Sequence, residues 1–285
     1  MRLYLLPIST RRTLLYCQKL NAATVEKPTL GDRIQTKASR TWAAWEQKDG
    51  GWQKKIVSYG NYALRRISYE EWGLKSVPPL SQRRRELEGK GTENVEVVYP
   101  KGLLAIDKVP KVLETLATER QALHKKRLIW CLIGMPISAP FALIPVVPNI
   151  PFFYLVYRAW SHWRALSGGK HIQFLLEKNL LTLTPSSIVD EVYLKENRPL
   201  PSSPEPTTDP FADKLGDLSP SPETEFKNQA GETMLLSQAS GKKLTQALDI
   251  PQLEVELERA IWQVETAVKK RNEELSANRK ERKTQ

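Results

Sequence analysis

The chain of 285 residues has little of the chemistry that catalysis or metal binding requires. It carries two cysteines, Cys17 and Cys131, and three histidines, His124, His162 and His171. Two thiols exclude a disulfide framework and a cysteine-rich zinc module. Three imidazoles leave little for a histidine-based metal centre. No phosphate-binding P-loop, dinucleotide glycine fingerprint, HExxH or CxxC pattern occurs. Gly168-Gly-Lys170 lacks both the earlier glycine and the following hydroxyl residue of a phosphate loop. The expectation is a non-enzyme with no catalytic residue, cofactor or metal. Acidic residues are also scarce: 32 Asp and Glu face 43 Lys and Arg, a formal charge of +11. Residues 1–127 hold most of that excess, with 25 basic and 13 acidic side chains. The balance favours an acidic partner: anionic lipid, nucleic acid, or the negative interior of an organelle. Arg83-Arg-Arg85 is too short a run to make a nucleic-acid site, and no nucleic-acid partner is expected. A mean hydropathy of −0.45 excludes a polytopic membrane protein.

One stretch lacks charge altogether. From Leu128 to Tyr157 no Asp, Glu, Lys, Arg or His occurs over 30 positions. A helix needs roughly 20 mostly apolar residues to cross a bilayer core. Lys125, Lys126 and Arg127 precede the run, and Arg158, Trp160, His162, Trp163 and Arg164 follow it, as membrane-interface anchors would. Pro145, Pro148 and Pro151 must break any helix through the middle, because each removes a backbone donor and clashes with the preceding turn. The resulting expectation is a proline-broken membrane hairpin over 128–166. Its first arm runs from about Pro110 to Ile144 and its second from about Pro151 to Leu166, ended by Gly168-Gly169. A single kinked span and a hairpin buried in a protein core are the alternatives. The run holds no ionisable group, so the hairpin alone has no obvious means of exchanging a proton for a cation.

The flanking regions read as helices. Residues 1–127 form a basic helical module with one or two short strands. Arg2, Arg11, Arg12 and Lys19, with no acid before Glu26, suggest targeting information in about residues 1–25. Leu3–Ile8 is equally strand-like, a helix is expected from Ser9 or Thr10 through Leu20, and Asn94–Tyr99 makes a strand that could pair with residues 3–8. Trp52, Ile56, Tyr59, Ala63 and Ile67 mark an amphipathic helix, and Ser68-Tyr-Glu-Glu71 a capping box. Short helices are expected over 170–178 and 185–195, within a segment 167–195. Residues 196–230 contain seven prolines among Ser, Asp and Glu and read as a disordered linker. In 231–285, Ile250, Leu253, Leu257, Ala260 and Val264 step by three and four. This supports a separate C-terminal coiled-coil helix, with self-association through that seam; a lone amphipathic helix packing on its own domain is the alternative. The fold class expected is therefore mainly α.

The opening Met1–Thr10 with Leu14-Leu-Tyr-Cys17 resembles the start of the fungal mitochondrial potassium–proton exchange-related family. Tyr69–Lys75 and Leu116–Gln121 are similar as well. The most specific likeness is Gly134-Met-Pro-Ile-Ser-Ala-Pro-Phe-Ala-Leu-Ile-Pro145, continued by Pro148–Leu166. The resemblance covers about residues 1–195. It implies a protein of the mitochondrial inner membrane that serves potassium–proton exchange and so matrix cation and volume control. Such a protein would work as a component or regulator with other inner-membrane proteins. An inner-membrane scaffold that affects potassium handling indirectly is the alternative. The resemblance supplies no catalytic residues.

Overall fold

Residues 3–8 are apolar without alternation, and the fold supplies the reason: both faces of their strand are buried. The computed structural model describes residues 1–18, 37, 40–41, 43–48, 50–91, 95–140, 150–196 and 232–284. At 61–65, 150, 196 and 275–284 it describes the backbone alone. Strands β1 (Arg2–Pro7) and β2 (Thr13–Gln18) form an antiparallel hairpin, with Leu3 opposite Cys17 and Leu5 opposite Leu15. β3 (Val95–Tyr99) runs parallel to β1, and β4 (Leu181–Pro185) parallel to β3, giving the sheet order β2-β1-β3-β4. The helices are α1 (Trp52–Arg65), α2 (Tyr69–Ser76), α3 (Gln82–Gly89), α4 (Val109–Thr118), α5 (Gln121–Ser138), α6 (Ile150–Glu177), α7 (Ser187–Glu196), α8 (Gln238–Ala247) and α9 (Pro251–Thr284).

Successive strand side chains point to opposite faces, so each strand feeds two cores. Leu3, Leu5, Leu15, Val97 and Tyr99 pack with Leu74 of α2, Leu113 of α4 and Ile172 of α6. Tyr4, Leu6, Leu14, Tyr16 and Val98 pack with Tyr193 of α7, Leu244 of α8 and Leu257 of α9. Helices thus cover both faces, the arrangement in which strands read as continuous apolar runs.

The mainly α fold class is corrected to a mixed α/β fold with a four-stranded sheet. The pairing of residues 3–8 with 94–99 holds as β1 with β3. The helix expected from Ser9 is instead β2, because a short apolar run buried on both sides carries no helical period. The membrane hairpin is also corrected. Among the described residues no helix is long and apolar enough to cross a membrane. The charge-free stretch is divided: Leu128–Ser138 closes α5, Ile150–Tyr157 opens α6, and the rest of each helix carries basic residues, Lys125 to Arg127 in α5 and Arg158, Arg164 and Lys170 in α6. Pro145 and Pro148 of the expected turn lie outside the described residues, as does the expected linker over 196–230 apart from its first residue. Pro151 occupies the first turn of α6, where a missing N–H is harmless.

Gly168-Gly169 does not end a helix. α6 continues through both residues to Glu177. A side chain at Gly168 would collide with the Leu74 carbonyl oxygen of α2, and one at Gly169 would come 2.8 Å from the Ala117 carbonyl oxygen of α4. The pair lets α6 lie directly against the backbones of two other helices, and that approach outweighs the low helix propensity of glycine.

The separate C-terminal coiled coil is corrected too. Ile250, Leu253, Leu257, Ala260 and Val264 are buried on the second face of the sheet. Residues 232–235 fasten this end of the chain to the β1–β2 turn. Thr10 N–H donates to the Thr233 carbonyl at 3.0 Å, and Leu235 N–H donates to the Ile8 carbonyl at 2.9 Å. Glu232 accepts from the Ser9 hydroxyl at 2.5 Å and pairs with Arg12 at 3.2 Å.

Candidate functional site: a buried ionic chain between three helices

The acid missing from the apolar stretch arrives from α2. Tyr69–Ser76 is amphipathic enough to bury Leu74 against the sheet, and this turns Glu71 toward α6. Arg158, the first charged residue of α6, grips Glu71 with two parallel bonds, Nη1 to Oε1 at 2.8 Å and Nη2 to Oε2 at 3.1 Å. The Ser161 hydroxyl adds a donor to Oε1 at 2.5 Å. Glu71 is 2 % exposed, His162 1 % and His124 3 %. Burial alone would push the Glu71 carboxyl up. The Arg158 and Ser161 hydrogen bonds outweigh it, with the Arg158 charge, and hold Glu71 below its ordinary value.

The proton positions follow from Arg158, which can only donate. Its Nη2 lies 3.0 Å from His162 Nε2, so that nitrogen accepts and the His162 proton sits on Nδ1. His162 Nδ1 lies 3.0 Å from His124 Nδ1 of α5, so the latter accepts and His124 carries its proton on Nε2. That Nε2–H has no hydrogen-bond partner among the described residues. The chain Glu71–Arg158–His162–His124 therefore links α2, α6 and α5 with one defined direction of donation. Both lone pairs a fresh proton could use are already capped by donors. Burial is the main cause that lowers His162, to about 4, and His124, with Arg158 reinforcing and Glu71 opposing.

Glu71, His124 and His162 offer ligand atoms within 4.8 Å of one another, which is a metal-like spacing. The guanidinium speaks against that use. It engages both Glu71 oxygens, and a metal on His162 Nδ1 would leave N–H on Nε2, facing Arg158 donor to donor. The chemistry of the group is that of a buried salt bridge extended by two neutral imidazoles.

Acid sensitivity follows. Both histidines are neutral in the fold and titrate near 6.5 when unfolded. The unfolded chain therefore binds more protons from about pH 6.5 downward, and stability is complete above that pH and falls toward pH 4. Denaturant midpoints should drop between pH 6.5 and 4.5 in the native protein, and the drop should be shallower in His162→Asn. An equal slope in both would remove the histidine pair as its cause.

The remaining residues singled out in the sequence occupy distinct settings. Lys125, Lys126 and Arg127 are exposed on α5, whereas Arg158 and His162 are buried in the ionic chain. Trp163 is half exposed, Trp160 is partly buried, and Arg164 donates to the Lys75 carbonyl at 3.2 Å. Sequence reasoning missed Glu71, read only as part of a capping box, and Lys75. Ser68 in fact makes no side-chain cap to the helix backbone; its hydroxyl donates to Glu70 at 3.0 Å. His124 stood beside the basic flank, and nothing local marked its pairing with His162, 38 residues away.

A family model described as mitochondrial K+–H+ exchange-related matches residues 2–176. That span includes β1 to β3, α1 to α5 and nearly all of α6, and with them the whole ionic chain. An uncharacterized protein of Schizosaccharomyces pombe is 32 % identical over 169 residues, covering 59 % of this chain and 72 % of that protein. An uncharacterized protein of Saccharomyces cerevisiae is 29 % identical over 167 residues, covering 51 % of this chain and 52 % of that one. No solved structure matches.

Proposed function

Because the chain belongs to the mitochondrial K+–H+ exchange-related family, we propose that it is a non-enzymatic component or regulator of potassium–proton exchange, seated on the inner membrane and working with partner proteins there. The observation that carries this reading is the outer side of α5 and α6. Ile129, Trp130, Leu132, Ile133 and Ile137 of α5 and Phe153 and Tyr154 of α6 are all exposed, and the two helices pack against each other. So large an apolar surface marks a site of association. Lys125, Lys126 and Arg127 adjoin it on α5. The combination suits an anionic membrane surface, with the apolar side chains at the boundary of headgroups and acyl chains and the bases among the headgroups. In this reading the protein lies on the bilayer without crossing it. The buried ionic chain supports the regulatory role: it sits just behind the apolar face and joins both membrane-facing helices to α2.

Each base near an anionic surface contributes about 1 kcal/mol. Neutralising Lys125, Lys126 and Arg127 together with Gln should therefore weaken binding to vesicles rich in anionic phospholipid by roughly 100-fold. In mitochondria that lack the chain, passive swelling in potassium acetate should slow. The native protein should restore it, and Ile133→Asp with Ile137→Asp should fail to do so while remaining folded. Normal swelling without the chain would reject the proposed role.

A further inference from the structure

Lys75 is 7 % exposed in α2, one turn after Glu71. Its ammonium lies 3.6 Å from the centre of the Trp72 ring, 5.3 Å from that of Tyr157 and 5.4 Å from that of Trp160. It donates to the Tyr157 hydroxyl at 3.4 Å. No carboxylate forms an ion pair with it among the described residues. Trp72 is also met by Arg259 of α9, whose guanidinium carbon is 4.5 Å from the ring centre. Three elements thus converge on one amine. α2 supplies Glu71 and Trp72, α6 supplies Tyr157, Arg158 and Trp160, and α9 supplies Glu256 and Arg259.

A primary ammonium normally keeps three hydrogen-bond partners or water. Ring faces attract a cation but replace that hydration incompletely. Caged this way the ammonium is held less well than in water, so the site favours the neutral amine relative to an exposed lysine. We propose that Lys75 and its three rings form a proton-operated latch, closed over the neutral amine and released when the amine takes up a proton. Release would separate α2 from α6 and α9 and so loosen the Glu71–Arg158 grip behind the membrane-facing helices.

The charge balance at the amine agrees. Burial is the largest influence and lowers Lys75 to about 8; Glu71 and Glu256 oppose the shift, and Arg158 and Arg259 add to it. Once opened to water, Lys75 returns to the ordinary lysine value near 10.4. The open form therefore binds the proton more tightly. Opening becomes easier as pH falls from about 10.4 to about 8, by up to tenfold per pH unit, and changes little below that. Burial raises Tyr157 to about 12, so its phenol stays protonated through this window.

The regulatory meaning of the latch rests on the function proposed above, but its titration is read on the purified full chain and stands or falls without any potassium flux. The amine resonance of Lys75 in lysine-labelled protein should titrate near pH 8. Hydrogen exchange of α2 and α6 amides, corrected for the intrinsic effect of pH, should accelerate as pH falls from 9.5 to 8, relative to amides of β1 and β3. In Lys75→Met that acceleration should vanish and the exchange should stay slow. A Lys75 resonance titrating near the free-lysine value would overturn the latch without requiring any variant. So would the same pH-dependent exchange in Lys75→Met. A normal titration near 8 with unchanged potassium–proton exchange in Lys75→Met mitochondria would keep the latch and sever it from transport.

Discussion

Replacing Glu71 with Ala should lower the stability of the protein by about 3–5 kcal/mol, the largest effect expected of a single polar substitution here. The reason is the partner left behind. Arg158 cannot give up its charge, and it would stay at 8 % exposure with neither of its carboxylate bonds. Ser161 would lose its acceptor, and the histidines would lose the one anion that opposes the Arg158 charge. Arg158→Met should cost less alone than Glu71→Ala, because the carboxyl left behind can take a proton where the guanidinium cannot lose one. The double variant Glu71→Leu with Arg158→Met should recover a large part of the loss. Buried ion pairs are often replaceable by apolar groups of similar volume, although breaking one side is severe. Urea unfolding of the native protein, Glu71→Leu, Arg158→Met and the double variant forms the double-mutant cycle that checks this. A single-variant loss below 1 kcal/mol would mean that water reaches the pair.

Leu257→Ala should cost about 2–5 kcal/mol. Leu257 is 1 % exposed and packs beneath the sheet with Tyr4, Leu6 and Tyr16 on the same core. The value separates two accounts of α9. If its apolar stripe served only to pair with another chain, Leu257→Ala would change the oligomeric state and leave the monomer's stability nearly untouched. As part of the core, it should lower the unfolding midpoint at every protein concentration equally. A concentration-dependent loss would return α9 to the role of an intermolecular helix.

Those two predictions mark the limits of what the residues disclosed by themselves. β1 and β3 were legible because short runs of Leu, Ile and Val bounded by polar residues have few other uses, and their pairing was legible too. β2 was not, since Thr13-Leu-Leu-Tyr-Cys17 is buried on both sides and lacks the alternation that marks a half-exposed strand. β4 does alternate, as Leu181-Thr-Leu-Thr, but Pro185 resembled a helix start and drew attention away from it. The 3-and-4 stepping of Ile250 to Val264 established a helix and a buried stripe. It could not tell an intramolecular sheet from a second helix, because both want the same apolar face. The absence of charge between Leu128 and Tyr157 was real, but its reading as a membrane hairpin took the stretch as two continuous arms, where the fold gives its first part to the end of α5 and its last part to the start of α6 and joins both to charged, packed segments. The ionic chain was hidden for a different reason. Glu71 and Arg158 are 87 residues apart, and the close approach allowed by Gly168 helps bring α2 against α6. A glycine pair inside an amphipathic pattern is the one local sign that a helix approaches another backbone, and here it resembled a helix end.

The same chain changes what can be said about ion movement. The apolar run has no proton-accepting group, yet a carboxylate and two imidazoles lie directly beside it in the folded protein. All of them are engaged, the carboxylate by a permanent cation and the imidazoles by donors. Such a group can hold helices in register and respond to protons, but it offers no vacant anionic site to a potassium ion. This is why the role proposed for the chain in the exchange is one shared with partners. The most direct test is potassium–proton exchange by the purified full chain in liposomes containing anionic phospholipid, followed by an internal pH dye under an imposed potassium gradient. The account predicts a rate equal to that of protein-free liposomes, although the protein binds their surface. Electroneutral exchange that scales with the amount of the pure chain would contradict it.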